Sequence, residues 1–127
     1  MQIRVYYEDT DCGGVVYYAN YLRFLERART EYLRERGIEV AAFAEEGFLF
    51  VVTHVDLSYR SPARYNDLLH IETKIVDQTR ITFTLGHVIR QYDSNKVIVE
   101  GKITLACVNG KGHPTRLPEA VAALTKG

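Results

Sequence analysis

The spacing of apolar side chains changes once along this chain, and that change limits the folds it can adopt. From about residue 16 to residue 36, apolar residues recur at intervals of three and four, which places them on one face of a helix. The predicted stripe consists of Tyr21, Phe24, Leu25, Ala28, Tyr32 and Leu33. Apolar and polar residues then alternate over 51–59, 69–75, 81–90 and 97–105, which is the period of half-buried strands. One amphipathic helix and several such strands bury their apolar faces by packing together.

The order of these segments predicts the architecture. Residues 3–7 also alternate, so the expected order is β-α-β-β-β-β. The connections at 77–79 and 93–96 are short, which is typical of antiparallel strands. We therefore predict an α+β fold in which a curved antiparallel sheet of about five strands wraps around one long helix. We also expect short helices at 40–46 and 118–124, and one domain over all 127 residues.

The composition excludes several partners. Sixteen Lys and Arg residues balance sixteen Asp and Glu residues, so we expect neither nucleic acid nor an anionic membrane as a partner. No run of about 18 apolar residues occurs, and the first residues lack a signal-peptide pattern, so we expect no membrane insertion. Two cysteines, Cys12 and Cys107, form no paired motif, which favours a cytoplasmic location.

An acidic loop with two glycines precedes the predicted helix. The first N–H groups of a helix lack intrahelical partners and carry the positive end of its dipole. Gly13 and Gly14 allow a sharp turn and the close approach of a ligand. A carbonyl oxygen held against the N–H groups near Val16 to Tyr18 would be polarised, and one such donor is typically worth about 10²–10³ in rate. Asp11 would then act as a nucleophile or as a general base for water.

The residues of this loop also fit capping, calcium binding or a cysteine nucleophile. Acidic residues before a helix commonly cap it or complement its dipole. A calcium loop beginning at Asp9 would need a bidentate Glu at its twelfth position, where this chain has Asn20. Cys12 as a nucleophile has no histidine nearby in sequence, and a lone cysteine is more often a packing residue. We predict no metal site, because the histidines are scattered at His54, His70, His87 and His113.

Two segments of the chain resemble a known enzyme family. Residues 5–17, Asn20-Tyr21 and Glu26-Arg27-Ala28-Arg29 closely resemble the hotdog-fold acyl-CoA thioesterases. The resemblance is greatest to the Tol–Pal-associated branch of the 4-hydroxybenzoyl-CoA thioesterase family. Residues 59–64, followed by Asp67, resemble a second segment of that branch, and a weaker likeness continues to Leu117-Pro118. The resemblance therefore covers nearly the whole chain.

The resemblance implies a function for this loop. It implies that Asp11 is the catalytic aspartate and that the backbone N–H of Tyr18 polarises a thioester carbonyl. Some relatives carry His where this chain has Tyr18, so the resemblance supports only the backbone role. We predict that Gly14, Val15 and Val16 contact the substrate. The implied reaction hydrolyses an acyl-CoA to a carboxylic acid and coenzyme A without a metal or redox cofactor.

The second segment suggests where coenzyme A would bind. Arg60, Ser61 and Arg64 follow a predicted strand, and the planar donor fork of arginine suits phosphate groups. A solvated turn is the simpler interpretation for each residue alone. The resemblance also implies a homodimer with a continuous sheet and interfacial active sites, or a homotetramer. Unpaired sheet edges independently favour self-association.

Two other functions remain open at this level. A hydratase or dehydratase acting on acyl thioesters would need a histidine opposite the carbonyl. A non-catalytic acyl-CoA-binding module would need only the pocket, and the Tol–Pal resemblance implies a cell-envelope context for it. The sequence does not define the acyl group, and it does not separate the nucleophile from the base role of Asp11.

Overall fold

The computed structural model describes residues 1–126 and confirms the predicted order of strands and long helix. The strands are β1 (Gln2–Arg4), β2 (Leu49–Tyr59), β3 (Leu68–Gln78), β4 (Thr82–Gln91) and β5 (Val97–Val108). The helices are α1 (Asn20–Glu35), α2 (Val40–Glu45) and α3 (Glu119–Ala122). Short 3₁₀ turns occupy Tyr7–Asp9 and Ala123–Lys126. Within residues 1–126, no helix has the length and apolar character needed to cross a membrane.

All the strands pair antiparallel in one sheet with the order β1-β3-β4-β5-β2. Tight turns join β3 to β4 and β4 to β5, so these strands are neighbours in the sheet as well as in sequence. The chain after β2 crosses to the far side before entering β3. As a result, β2 pairs only with β5 among the described residues and forms a long sheet edge, with a register shift between Val52 and His54.

The apolar stripe of α1 packs on one face of this sheet. Tyr21, Phe24, Leu25, Ala28 and Leu33 are buried, as the helical spacing predicted. Tyr32 is half-buried, and its hydroxyl accepts a 3.3 Å hydrogen bond from the Ile75 N–H. The sheet side of the core includes Phe83, Leu85, Ile89, Ile103 and Leu105. Burial of each large apolar side chain contributes about 1.5–3 kcal/mol, so this layer supplies the main stabilisation.

The first strand is shorter than predicted. The alternation over residues 3–7 predicted a strand reaching Tyr7, but β1 ends at Arg4. Instead, the Val5 N–H donates to the Asp67 carbonyl at 2.8 Å, and the chain winds into the 3₁₀ turn. The Asp9 carboxylate stabilises that turn by accepting a 2.8 Å hydrogen bond from the Tyr6 N–H. This local cap competes with the strand ladder and redirects the chain toward the acidic loop.

Candidate active site

The acidic loop is a tight turn that projects Asp11 into solvent. Thr10 and Val16 form an antiparallel bridge across its base. Within the turn, the Asp11 N–H donates to the Val15 carbonyl at 2.9 Å, and the Gly14 N–H donates to the Asp11 carbonyl at 3.1 Å. Gly14 has a φ of +81°, a conformation that side chains disfavour. The loop therefore holds Asp11 by backbone hydrogen bonds on both sides.

One oxygen of the Asp11 carboxylate is used within the loop and the other is open. Oδ1 accepts a 2.8 Å hydrogen bond from the Gly13 N–H. A Cβ atom at position 13 would lie 3.1 Å from that same oxygen, so glycine leaves room for the carboxylate. Within the described part of the chain, no donor reaches Oδ2. Asp11 thus has a defined orientation and a free oxygen for a ligand or a water molecule.

The long helix begins later than predicted, at Asn20 instead of about Val16. The Val16 N–H donates to the Ala63 carbonyl at 2.8 Å, and Val15 bridges Arg64. The Tyr17 N–H donates to the Asp9 carbonyl at 3.0 Å. Extended conformation suits the two β-branched valines, and a neighbouring segment supplies their partners. The expectation that Val16 offers a free helical N–H group is therefore wrong, and Tyr17 offers none either.

The free N–H groups at this helix end belong to Tyr18 and Ala19. Among residues 1–126, neither N–H has a hydrogen-bond acceptor. The Asn20 N–H bonds the Tyr17 carbonyl at 2.8 Å, so the chain already turns as a helix from Tyr17 onward. Both free N–H groups consequently lie at the positive end of the α1 dipole. Sequence reasoning singled out Tyr18 but missed Ala19, because the start of the helix was misplaced.

Two hollows flank this helix end. One, of about 400 Å³, is lined by Asp11 together with Asp9, Tyr17, Asn20 and Arg23. The other, of about 290 Å³, is lined by Tyr18, Tyr21, Tyr59 and Ser61. The isolated chain therefore places Asp11 and Tyr18 in separate hollows. Tyr59 was not predicted as a site residue, although its position in the second recognisable segment was a signal for it.

The second segment holds the acidic loop in place. Ala63 is fully buried between the two segments. Its carbonyl accepts the Val16 N–H, and its own N–H donates to the Tyr21 hydroxyl at 3.2 Å. Burial raises the pKa of the Tyr21 hydroxyl, so this group remains protonated at neutral pH. The contact joins the first turn of α1 to the segment that was predicted to bind coenzyme A.

The predicted binding residues of the second segment are only partly brought together. Ser61 lines the Tyr18 hollow, and Arg64 lies beside Val15 through their backbone bridge. Arg60 also lines the Tyr18 hollow, and its guanidinium pairs with Glu100 on β5 at 2.9 Å. That ion pair is exposed on both sides, so it adds little stability. Gly14 and Val15 line neither hollow.

His87 is the buried histidine of this chain, and it lies away from both hollows. It points toward α1 from the centre of β4, and its Nδ1 lies 3.0 Å from the Thr73 hydroxyl. Burial, together with the Arg29 charge, lowers the pKa of His87 to about 4. Its orientation was readable from sequence, because position 87 has the same parity as Phe83, Leu85 and Ile89. Among the described residues, no histidine lines the hollow of Asp11 or that of Tyr18.

The remaining candidate groups are isolated. Cys12 is exposed and Cys107 is buried, and both are free thiols. Burial raises the pKa of the Cys107 thiol. Over residues 1–126, no three His, Cys, Asp or Glu side chains come together in a way that could hold a metal ion.

Comparison with known proteins connects this chain to one group of enzymes. The family model of the thioesterase-like superfamily matches residues 5–124. The acyl-CoA thioester hydrolase YbgC of Escherichia coli O6:H1 is 41% identical over 124 residues, covering 95% of this chain and 90% of that protein. The acyl-CoA thioesterase YbgC of Haemophilus influenzae is 41% identical over 123 residues, covering 95% and 89%.

Solved structures give the same fold. A probable thioesterase from Bartonella henselae has a TM-score of 0.85 at 38% identity, covering 93% of this chain and 97% of that chain. The Synechocystis protein Slr0204, a 1,4-dihydroxy-2-naphthoyl-CoA thioesterase, has a TM-score of 0.91 and covers 98% and 92%. Its identity is 21%, so that likeness concerns the fold alone. The helix-wrapped antiparallel sheet is therefore the hotdog fold that the resemblance implied.

Proposed function

This chain belongs to the thioesterase-like superfamily and is an acyl-CoA thioester hydrolase, and from that premise we propose that Asp11 and the backbone N–H of Tyr18 perform the reaction. The observation that carries the proposal is that the two hollows flanking the start of α1 hold an oriented, half-free carboxylate on one side and unpartnered N–H groups on the other. Hydrolysis of a thioester needs both of these elements. The carboxylate attacks the carbonyl carbon or activates a water molecule, and the N–H donors stabilise the developing oxyanion.

The oxyanion site is proposed at the N–H of Tyr18, with the Ala19 N–H beside it. As the carbonyl carbon becomes tetrahedral, negative charge accumulates on its oxygen. Fixed N–H donors at a helix N-terminus stabilise that charge without reorganising, and one donor is typically worth about 10²–10³ in rate. The backbone supplies this function, so the proposal assigns no chemistry to the Tyr18 hydroxyl.

Asp11 has two chemically complete routes. As a general base, it takes a proton from a water molecule that attacks the carbonyl carbon; the C–S bond then breaks, and the thiolate of coenzyme A takes up a proton. As a nucleophile, it displaces the thiolate to form an acyl–Asp11 anhydride, which water then hydrolyses. Rapid quenching separates the routes, because coenzyme A release precedes acid release only when the anhydride accumulates.

We propose that the binding surface for coenzyme A includes Ser61 and Arg64. Arg60 joins this surface when its guanidinium exchanges Glu100 for a phosphate group. Support comes from Ser61, which lines the Tyr18 hollow, and from the bridge that places Arg64 next to Val15. Arg64→Ala should raise KM for acyl-CoA while leaving kcat nearly unchanged. An acyl thioester of N-acetylcysteamine, which lacks the coenzyme A phosphates, should not distinguish the variant from the wild type.

We further propose a homodimer that pairs along β2. This edge exposes Leu49, Val51, Val52, Val55 and Tyr59. Exposed apolar edges of this length are normally covered by another chain. Tyr59, the last residue of β2, also lines the Tyr18 hollow, so a partner paired at this edge would lie beside the proposed site. Val55→Lys should produce monomers with reduced hydrolysis.

The central test is acyl-CoA hydrolysis by the wild type and by Asp11→Asn. The substitution keeps the size of the side chain but removes its base and nucleophile, so kcat should fall by about 10²–10⁴. Asp93→Asn, in an exposed turn, is the matched control and should retain wild-type kcat. Equal activity of Asp11→Asn and the wild type would remove the assignment of Asp11.

The finer family assignment and the alternative functions can be tested separately. We place the chain in the Tol–Pal-associated branch, supported by its Tyr7–Tyr21 segment and by 41% identity to the YbgC proteins. Its coding sequence should then neighbour genes for Tol–Pal components, and unrelated neighbours would contradict the placement.

Tight acyl-CoA binding without turnover across a broad panel would favour a non-catalytic module. A hydratase has less support, since among the described residues no histidine lines the hollow of Asp11 or that of Tyr18.

We also propose that the reaction needs no metal or other cofactor and takes place in the cytoplasm. Both reacting groups are supplied by the chain itself, so extensive dialysis against EDTA should leave kcat unchanged.

An exposed free thiol such as Cys12 suits a reducing compartment. Fractionation of the host cell provides the check, and enzyme recovered only from an oxidising compartment would contradict this location.

A further inference from the structure

The peptide group between Tyr18 and Ala19 lies between the two hollows that flank the start of α1. Ala19 lines the hollow of Asp11, whereas Tyr18 lines the other hollow together with Tyr59. The Ala19 N–H has no acceptor among residues 1–126. The C=O and N–H of a trans peptide share one plane and point in opposite directions. A contact that fixes the Tyr18 carbonyl therefore also fixes the direction of the Ala19 N–H.

The Tyr59 hydroxyl makes such a contact. It donates to the Tyr18 carbonyl at 3.5 Å, and the Tyr21 N–H donates to the same oxygen at 3.4 Å. Both contacts are long, since typical N–H···O and O–H···O bonds measure about 2.9 Å and about 2.7 Å. The first turn of α1 therefore satisfies this carbonyl only in part, and the Tyr59 hydroxyl is its second donor within the described chain.

Aromatic packing holds the Tyr59 hydroxyl in position. The rings of Tyr59 and Tyr18 meet edge to face, with centroids 6.3 Å apart and an angle of 88° between their planes. The centroid of the Tyr21 ring lies 5.8 Å from that of Tyr59, and Tyr21 is itself buried and bonded to the Ala63 N–H. Tyr59 is also the last residue of β2. The sheet therefore presents this hydroxyl to the start of the helix.

We propose that Tyr59 is a positioning residue, whose hydroxyl orients and polarises the peptide group between Tyr18 and Ala19 so that the Ala19 N–H stabilises the oxyanion. This role rests on the proposed function, because Tyr59 acts through the proposed oxyanion donors. As negative charge accumulates on the thioester oxygen, the Ala19 N–H is polarised and the Tyr18 carbonyl becomes a stronger acceptor. The hydrogen bond from Tyr59 then strengthens in the transition state, which raises kcat without tightening the binding of substrate.

Removal of the Tyr59 hydroxyl without its ring tests this role. Tyr59→Phe keeps the aromatic contacts with Tyr18 and Tyr21 but leaves the Tyr18 carbonyl with the Tyr21 N–H alone. With the acyl-CoA that the wild type hydrolyses fastest, kcat should fall about two- to tenfold, as expected for the loss of one hydrogen bond, and KM should stay unchanged. Tyr92→Phe removes a hydroxyl from an exposed turn and should retain wild-type kcat.

The backbone amide of Ala19 provides a second measurement that needs no substrate. A hydrogen bond to a peptide carbonyl polarises the N–H of the same peptide group, so the nitrogen chemical shift of Ala19 reports the contact from Tyr59. This shift should move upfield in Tyr59→Phe and stay in place in Tyr92→Phe. If Tyr59→Phe fails to fold, a ring-fluorinated tyrosine in place of Tyr59 provides a more acidic hydroxyl. That stronger donor should move the Ala19 shift downfield and raise kcat.

Wild-type kcat in folded Tyr59→Phe, or an Ala19 shift at its wild-type value, would overturn the proposal. A rise in KM at wild-type kcat would overturn it as well, because Tyr59 would then be a substrate contact. If Asp11→Asn loses activity while Tyr59→Phe keeps it, the proposed function stands and this inference alone fails. Absence of acyl-CoA hydrolysis in the wild type would count against the proposed function, and the Ala19 shift would still decide whether the hydroxyl polarises the peptide group.

Discussion

The side-chain amide of Asn20 donates a 2.9 Å hydrogen bond to Oδ1 of Asp9. Asn20 is the first residue of α1, and Asp9 ends the 3₁₀ turn before the acidic loop. The other carboxylate oxygen of Asp9 accepts the Tyr6 N–H at 2.8 Å. Asp9 therefore connects both ends of the loop that carries Asp11, which explains why an acidic residue without a proposed chemical role is needed there.

Loss of this connection should weaken both the fold and the site. Asn20→Ala removes the donor and leaves Oδ1 of Asp9 without its partner, which should lower the free energy of unfolding by about 1 kcal/mol. Because the loop is then less restrained, kcat should also fall. Denaturant unfolding and steady-state kinetics measure the two effects. Glu46→Ala is the control, since Glu46 is exposed and lines neither hollow, and it should change neither quantity. An unaltered Asn20→Ala enzyme would contradict this role.

Addition of one methyl group beside Asp11 should impair catalysis with little effect on stability. The Cβ of Gly13→Ala would lie 3.1 Å from Oδ1 of Asp11, inside the usual contact distance of about 3.5 Å. The carboxylate must move by a few tenths of an ångström, and the rate depends steeply on the position of a reacting group, so kcat should fall. Gly110→Ala is the matched control, because its Cβ would meet nothing within 4 Å. Wild-type kcat in Gly13→Ala would show that the carboxylate position is unimportant.

His87 should make the fold sensitive to acid. The pKa of His87 is about 4 in the folded chain against 6.5 for a free histidine, so between these pH values the unfolded chain binds more protons. The free energy of unfolding should fall as pH drops from 6.5 to 4, by up to about 3 kcal/mol from this group. The polar groups around it are those of two half-buried residues, the Thr73 hydroxyl and the Arg29 guanidinium.

Urea unfolding across this pH range can isolate the contribution of His87. Between pH 6.5 and pH 4, the free energy of unfolding should depend less on pH in His87→Gln than in the wild type, because the group that gains a proton on unfolding is gone. His113→Gln removes an exposed histidine and should keep the wild-type slope. Identical slopes for wild type and His87→Gln would mean that other groups cause the acid sensitivity.

The two cysteines should differ in reactivity, and neither should be needed for hydrolysis. Ellman's reagent should modify Cys12 rapidly in the folded protein, while Cys107 reacts only after unfolding because it is fully buried. Cys12→Ala should abolish the rapid phase and retain full kcat. A large loss of kcat in this variant would restore the hypothesis of a cysteine nucleophile.

Local side-chain pattern was sufficient for the main elements of the fold. The stripe from Tyr21 to Leu33 required a helix with one buried face, and the alternating segments required half-buried strands. The parity of His87 with Phe83 and Leu85 was a signal for its burial, but the sequence analysis did not use it. These features follow from the periodicity of helix and strand backbones, and each segment shows that periodicity in its own sequence.

The sequence by itself thus determined the order of strands and helix, the apolar stripe of α1 and the position of Asp11 in a glycine loop. Tertiary structure decided which N–H groups stay free, because the carbonyl groups of Ala63 and Asp9 take those of Val16 and Tyr17. It also decided that Arg60 pairs with Glu100 and that β2 forms an edge despite its alternating pattern. Hydrogen-bond partners and neighbouring strands come from distant parts of the chain, so local periodicity holds no information about them.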